Sequence, residues 1–256
     1  MSDLATGADR QIRGEGSSDQ DWLRWSGWQI GIERSAAQLI APSQRLVVIA
    51  PHPDDEVLAA GGLIQLAVRQ RTPVLVIGVT GGGASHPGSR RWPADRLVAT
   101  RQRERLQALQ ILGLARTDVV DLDLPDGGVS AAEGLLVDQL TGLLRPSDLV
   151  ISPWRYDGHP DHESTAVAAG QAAGTCGARH LQAPIWGWHW ADPDTDQLPA
   201  TGVTLIQLDG PAHTAKRQAI DCFASQLQPD PSTGAAAILP DWAIRRLSRP
   251  VEVLLA

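Results

Sequence analysis

Short apolar runs recur along the first two thirds of the chain, each followed by a stretch whose apolar positions return at helical spacing. Residues 46–50, 74–80, 119–124 and 149–152 read as strands. The intervening patterns predict helices over 57–70, 93–112, 131–144 and from 164 to at least 173, with Gly113 as the stop of the second. Strands that alternate with helices of this length imply parallel pairing through right-handed crossovers. The expectation is an α/β, Rossmann-like three-layer sandwich around a mostly parallel central sheet. The rhythm changes afterwards: 185–190, 203–208 and 251–255 are strand-like, with one helix over 214–226. These either extend the same sheet or form a C-terminal extension or small cap beside it.

The N-terminal part divides differently. Residues 1–20 are polar and rich in Gly and Ser, which predicts a mobile tail. A helical extension over 21–44 follows, capped by Asp21 and ended before Pro42, and the main domain spans 45–256. Trp22, Trp25 and Trp28 are spaced by three, as on one helix face docked against the body.

A formal net charge of −7 argues against a general nucleic-acid binder, which normally carries a basic face. Cys176 and Cys222 are the only cysteines, too few for a disulfide scaffold, and read as core thiols. The start lacks the basic and apolar regions of a signal peptide, and no apolar stretch approaches the ~20 residues of a membrane span. A cytoplasmic location is therefore expected; self-association into a homo-oligomer stays open.

Two of the strands end in chemistry-bearing segments. The first apolar run leads into Pro51-His52-Pro53-Asp54-Asp55-Glu56, and the fourth precedes Gly158-His159-Pro160-Asp161-His162-Glu163. Carboxylates at a helix N-terminus are stabilised by the macrodipole, so Asp54 or Asp55 could serve simply as a cap. A cap does not explain the histidine three residues earlier. His52 and Asp55 can converge on one cation across the turn, and His162 joining them makes a His₂Asp set with a position left for water. His159 then stays nearby but unligated, with Asp161 as its orienting carboxylate. Both segments lie at the carboxyl ends of strands, where open α/β sheets bind ligands. A metal-dependent hydrolase follows.

These residues resemble the LmbE-like or PIG-L family of zinc-dependent de-N-acetylases. The likeness extends from 50–58 with Gly61-Gly62 through 97–104, Leu124-Pro125-Asp126-Gly127 and the Gly-His-Pro-Asp-His run, covering roughly 46–226. The resemblance implies zinc on His52, Asp55 and His162, other divalent transition metals being alternatives. It makes Asp54 the general base and His159 the group that polarises the carbonyl, supported by Asp161. Asp126 matches a sugar-contacting position. Arg101 matches a helix position where substrate contact or an ion pair with Glu104 would serve. The implied substrate is a small amino-sugar conjugate bearing an N-acetyl group. The alternatives are an enzyme of the same fold acting on another amide or acyl group, or a non-catalytic carbohydrate-binding protein. The chain departs from the family in having Gly81-Gly82-Gly83 where relatives often carry an acid. It also has Asp157 where some relatives place a tyrosine. The glycine run invites a rival reading as a phosphate cradle, although it lacks the Lys-Ser/Thr of a P-loop.

Overall fold

The structure, a computed structural model, describes residues 10–256. Eight strands form one sheet: β1 (Ile32–Glu33), β2 (Arg45–Ala50), β3 (Val74–Thr80), β4 (Val119–Leu124), β5 (Asp148–Pro153), β6 (Arg179–Ala183), β7 (Val203–Gln207) and β8 (Val251–Leu255). The longer helices are α1 (Asp55–Arg69), α2 (Ala94–Ile111), α3 (Glu133–Leu143), α4 (Pro160–Cys176) and α5 (Gly210–Ile220). Spatially the strands run β1-β7-β8-β6-β5-β2-β3-β4. All pairings are parallel except the two made by β8. The chain winds outward from β2 to β3 and β4, then returns to β5 and β6 on the other side. The β2–β5 boundary is therefore the point where the winding reverses, and a crevice opens there at the carboxyl ends of the strands.

The central strands are covered on both faces, which is why their sequences are apolar without alternation. Leu46 and Val48 pack with Leu63 of α1, Ala108 of α2 and Ile220 of α5. Val47 and Ile49 turn the other way, to Leu136 and Leu140 of α3 and Ala169 of α4. The expected three-layer sandwich is thus present, and the C-terminal strands extend its sheet. The helix expected over 214–226 starts earlier and divides into α5 and a turn at Ala224–Leu227. Residues 185–190 are not a strand: Gly187–Trp190 forms a helical turn. Both cysteines are only half-buried, at the margin of the core rather than within it.

The N-terminal extension also differs from expectation. Three four-residue turns (Asp19–Trp22, Gly27–Ile30 and Ala36–Leu39) replace one helix. Gly27 and Gly31 weaken a continuous helix, and a Cβ on Gly27 would lie 2.3 Å from the Trp25 ring. Breaking the helix lets Trp22 and Trp25 bury fully and donate their indole N–H groups to Trp188 O and Leu198 O. Residues 1–9 of the expected tail lie outside the described residues. Beyond them the segment is tied down: Arg10 pairs with Glu163, and Ser17 donates to Ala191 O. Among the described residues no helix is long and apolar enough to cross a membrane.

Helix α1, which begins at the site, is broken at Ala60 (φ −144°, ψ 20°). The buried Glu252 carboxylate of β8 accepts from Gly62 N (2.7 Å) and Leu63 N (2.8 Å), capping the second half. The buried Lys216 ammonium donates to Leu58 O, ending the first half, and to Glu252. Gly62 fits because a Cβ there would lie 2.4 Å from Leu208 Cδ1. A buried ion pair is favourable only when its hydrogen-bonding capacity is filled, and here the helix break fills it.

Candidate metal centre

Strand β2 delivers His52 to the crevice, and the chain then turns sharply. Asp54 has φ 144°, a backbone region that side chains rarely adopt, so the turn is held at some conformational cost. What holds it is Asp55, whose Oδ2 accepts the His52 backbone N–H at 2.9 Å. Neither aspartate makes a side-chain cap on α1. Helix α4 delivers the second segment: His159 is its N-cap and Pro160 its first residue.

The three residues expected as ligands come together. Asp55 Oδ2 lies 3.2 Å from His52 Nδ1 and 3.2 Å from His162 Nε2. The far nitrogens of both rings face carboxylates. His162 Nδ1 is 2.8 Å from Asp157 Oδ2, and His52 Nε2 is 3.2 Å from Asp126 Oδ1 and 3.3 Å from Asp161 Oδ2. A carboxylate only accepts, so those far nitrogens carry the protons. In neutral imidazoles the near nitrogens then present lone pairs to an oxygen that also presents lone pairs. Only added positive charge reconciles three converging acceptors. Four-coordinate N and O ligands at about 2.0–2.1 Å from a cation stand about 3.3 Å apart, close to the two separations from Asp55 Oδ2. His52, His159 and His162 also bring one donor atom each within 4.8 Å of one another. The donor set fits a divalent cation.

Without a cation, protons on the two rings supply that positive charge. Burial works against charge on His162, yet Asp55 and Asp157 push it up to about 9, and His52 is likewise raised by its carboxylate partners against the same penalty. Asp55 is held well below the usual carboxylate range despite burial, by His162 and His52.

His159 is set apart from this pair. Its ring centroid lies 4.9 Å from that of His52 and 4.8 Å from that of His162, so its donor atoms are within reach of the same centre. However, its Nδ1 accepts the Asp161 backbone N–H at 3.2 Å, so the neutral ring carries its proton on Nε2. Burial and the two neighbouring imidazoles push it down to about 4. His159 is therefore a neutral hydrogen-bond donor.

Asp161 does not orient His159 through its carboxylate, as the sequence had suggested. Its backbone N–H is on His159, while its carboxylate faces His52, held there by Gly127 N and Val129 N. Asp126 shares that task, accepting from Ala84 N with its second oxygen. Against the effect of burial, the His52 contact holds it down at about 2. Arg101 makes no ion pair with Glu104. It donates to Gly82 O, Pro53 O and Asp54 Oδ2, each at 3.0 Å, while Glu104 accepts from Ser225. Gly82 (φ +68°) makes room for this guanidinium, since a Cβ there would lie 2.4 Å from Arg101 Nη1, whereas Gly81 and Gly83 lie against Val98. Asp54 is buried, and burial with the adjacent Asp55 raises it to about 7 against the pull of Arg101.

Asp157 is the residue that motif reading missed. It is fully buried and accepts from the backbone N–H groups of Ile185, Trp186 and Gly187 as well as from His162. Its spacing of five before His162 was the available signal. The cleft above the centre encloses about 220 Å³. Asp54, Asp126 and His159 line its polar side, and Leu58, Trp186, Ile238 and Leu239 its apolar side.

A family model described as GlcNAc-PI de-N-acetylase (PIG-L) matches residues 47–173, the span that holds every residue of this centre. Residues 47–173 thus form a PIG-L domain. A relative, the 1D-myo-inositol 2-acetamido-2-deoxy-alpha-D-glucopyranoside deacetylase of Corynebacterium efficiens, is 29% identical over 226 residues, covering 72% of each chain. Among solved structures, the A40926 pseudoaglycone deacetylase superposes with a TM-score of 0.58 at 25% identity, over 82% of this chain and 95% of that one. The 4-carboxy-2-hydroxymuconate hydratase of Pseudomonas putida shares the fold at 21% identity and a TM-score of 0.54, over 72% of this chain and 80% of that one. The fold alone thus does not define a reaction.

Proposed function

We propose that this PIG-L protein is a zinc-dependent hydrolase that removes an N-acetyl group from an N-acetylglucosamine-type amino sugar or its conjugate, releasing acetate and a free amine. The observation that carries this reading is the convergence of His52 Nδ1 and His162 Nε2 on Asp55 Oδ2, with Asp54 and a proton-donating His159 beside it. The names of the relatives support the substrate class.

Zinc on His52, Asp55 and His162 would supply Lewis acidity, activating water and polarising the acyl oxygen. The protein's own groups do the rest. Asp54, held near neutrality, accepts the proton of the attacking water. His159 Nε2–H donates to the acyl oxygen as negative charge develops there; one such donor is typically worth about 3 kcal/mol. The leaving amine needs a proton, and Asp54 holds the one it has just accepted. His159, neutral and pushed down to about 4, is a poor carrier of a second proton but a good hydrogen-bond donor. Arg101 keeps Asp54 in place between the two roles.

Acetate release from N-acetylglucosaminides is the direct test, measured on protein stripped with chelator and reloaded with zinc. Activity should vanish on stripping and return at one equivalent. Activity that persists in metal-free protein overturns the reading.

A further inference from the structure

Next to the cleft, joined to its lining through Ser85, lies a group of arginines that no part of the catalytic centre uses. Ser85 lines the cleft, its Oγ is 2.9 Å from His86 Nδ1, and the His86 ring lies 6.2 Å from that of Trp92. Two guanidinium groups lie over this one indole: Arg91 at 5.3 Å and Arg96 at 5.6 Å from the ring centroid. Arg90 is next in the chain, and all three arginines are exposed. The loop is anchored by a segment distant in the chain, where Ser232 Oγ accepts from Arg90 N (3.1 Å) and Arg91 N (3.3 Å). That anchoring segment runs on into Ile238 and Leu239, which line the cleft.

No ion pair among the described residues involves Arg90, Arg91 or Arg96. By contrast Arg10, Arg24, Arg45, Arg69, Arg105 and Arg116 each hold a carboxylate. What distinguishes Arg90, Arg91 and Arg96 is their grouping: in a chain of net charge −7, three exposed arginines gather around one indole beside the cleft. The local acids do not cancel them. Asp95 is exposed on the first turn of α2 and leaves the group net positive. Asp230, held down at about 2 by hydrogen bonds from Ser89 and Ser232, is the second local acid, so three guanidinium groups face two carboxylates. Stacking on the indole also limits the freedom of two long side chains, so less entropy is lost when they close on a ligand.

We infer that this group is an anion subsite: the deacetylated substrate carries a carboxylate or phosphate on the part of the molecule beyond the amino sugar, received by Arg91 and Arg96 on the Trp92 face with Arg90 adjoining. The inference rests on the deacetylase reading and narrows its substrate class to anionic conjugates. Planar guanidinium groups suit either anion, because both offer paired oxygens. The catalytic floor, with Asp54, Asp55 and Asp126, has no spare cation for such a group; its Arg101 is committed to Asp54. The arginine group supplies what the floor lacks.

The test uses matched glycosides differing in charge: p-carboxyphenyl and p-tolyl N-acetylglucosaminide, with N-acetylglucosamine 1-phosphate as the phosphate arm. The wild type should favour the carboxylate over its neutral match by about five- to tenfold in kcat/KM, chiefly through KM, and the preference should shrink with added salt. Arg91→Gln with Arg96→Gln should reduce the preference to about twofold or less, leaving turnover of the p-tolyl glycoside unchanged. Arg91→Lys with Arg96→Lys should restore part of it. A superior phosphate arm would assign the subsite to phosphate, and a superior carboxylate arm to carboxylate. Calorimetric binding of the same three compounds to the zinc-loaded protein decides the matter independently of turnover. Charge-selective binding without acetate release sinks the deacetylase reading and keeps the subsite. Equal affinity for the charged and neutral glycosides, or a preference unaltered in the double Gln variant, overturns the subsite itself.

Discussion

Asp157→Asn isolates the part of the centre that motif reading did not find. The native carboxylate accepts four hydrogen bonds: Oδ1 from Ile185 N (2.8 Å) and Gly187 N (2.9 Å), Oδ2 from His162 Nδ1 (2.8 Å) and Trp186 N (3.0 Å). Asparagine keeps the shape but replaces one acceptor with a donor. If its oxygen stays on Ile185 and Gly187, its NH₂ group meets the His162 ring and the Trp186 N–H. The ring can answer only by moving its proton from Nδ1 to Nε2, the nitrogen that faces Asp55, so the variant spends the lone pair that would bind metal. Outer carboxylates of this kind are typically worth 10- to 100-fold in metal affinity. Hydrogen bonds to charged groups contribute roughly 1.5–3 kcal/mol each, so weakening two of them should cost about 2–4 kcal/mol of stability in the metal-free protein. A domain of ordinary stability, about 5–15 kcal/mol, survives that loss folded. Competition with a chromogenic chelator gives the zinc affinity, and urea unfolding of the metal-free form gives the stability. Folded Asp157→Asn protein that binds zinc within twofold of wild type would refute the tautomer argument.

Asp54→Asn should retain zinc and fold while kcat falls by roughly 10²- to 10⁴-fold, because asparagine cannot accept the proton; metal analysis beside steady-state kinetics checks it. His159→Ala should lower kcat with little change in zinc content, whereas Asp161→Ala should weaken zinc through His52; equal zinc affinity in the two variants would contradict the placement of the Asp161 carboxylate. Lys216→Met leaves Glu252 buried without its cation and should cost about 3–5 kcal/mol, with much of the loss recovered in the double variant Lys216→Met, Glu252→Gln, as read from urea midpoints. Burial pushes His180 down to about 4 from 6.5, so the unfolded chain binds the extra proton first. Its contribution is complete above pH 6.5 and is lost as the pH falls toward 4. Between pH 7 and 5 the wild type should therefore lose about 1–2 kcal/mol more than His180→Gln in denaturant unfolding.

Strands β2, β3 and β5 were legible in the sequence because burial on both faces leaves apolar runs, while β4, the edge strand, was legible from its flanking helices although Asp121 and Asp123 interrupt it. The residues of the two motifs were legible for a related reason. His52, Asp55, His159 and His162 follow strand ends directly, and a parallel sheet brings those ends to one edge. What the chain could not announce was which way each side chain turns on arrival. Asp161 faces His52 because Gly127 N and Val129 N hold its carboxylate there, and Arg101 faces Asp54 because a glycine lets it approach. Those are choices among short-range partners with the same spacing, and only three-dimensional competition makes them. The same holds for Asp157, whose three backbone donors come from a segment about thirty residues away. It holds too for Glu252, which reaches from the last strand to cap a break in α1. The three tryptophans near the N-terminus make the point in reverse. Their periodicity is helical, yet burying three large rings against Trp188 required separate turns, and packing overrode local propensity. Chemistry written in contiguous motifs was determined by the sequence itself; partner choice between distant segments was decided by the tertiary structure, because a hydrogen bond depends on position and direction in space and leaves no periodicity in the chain.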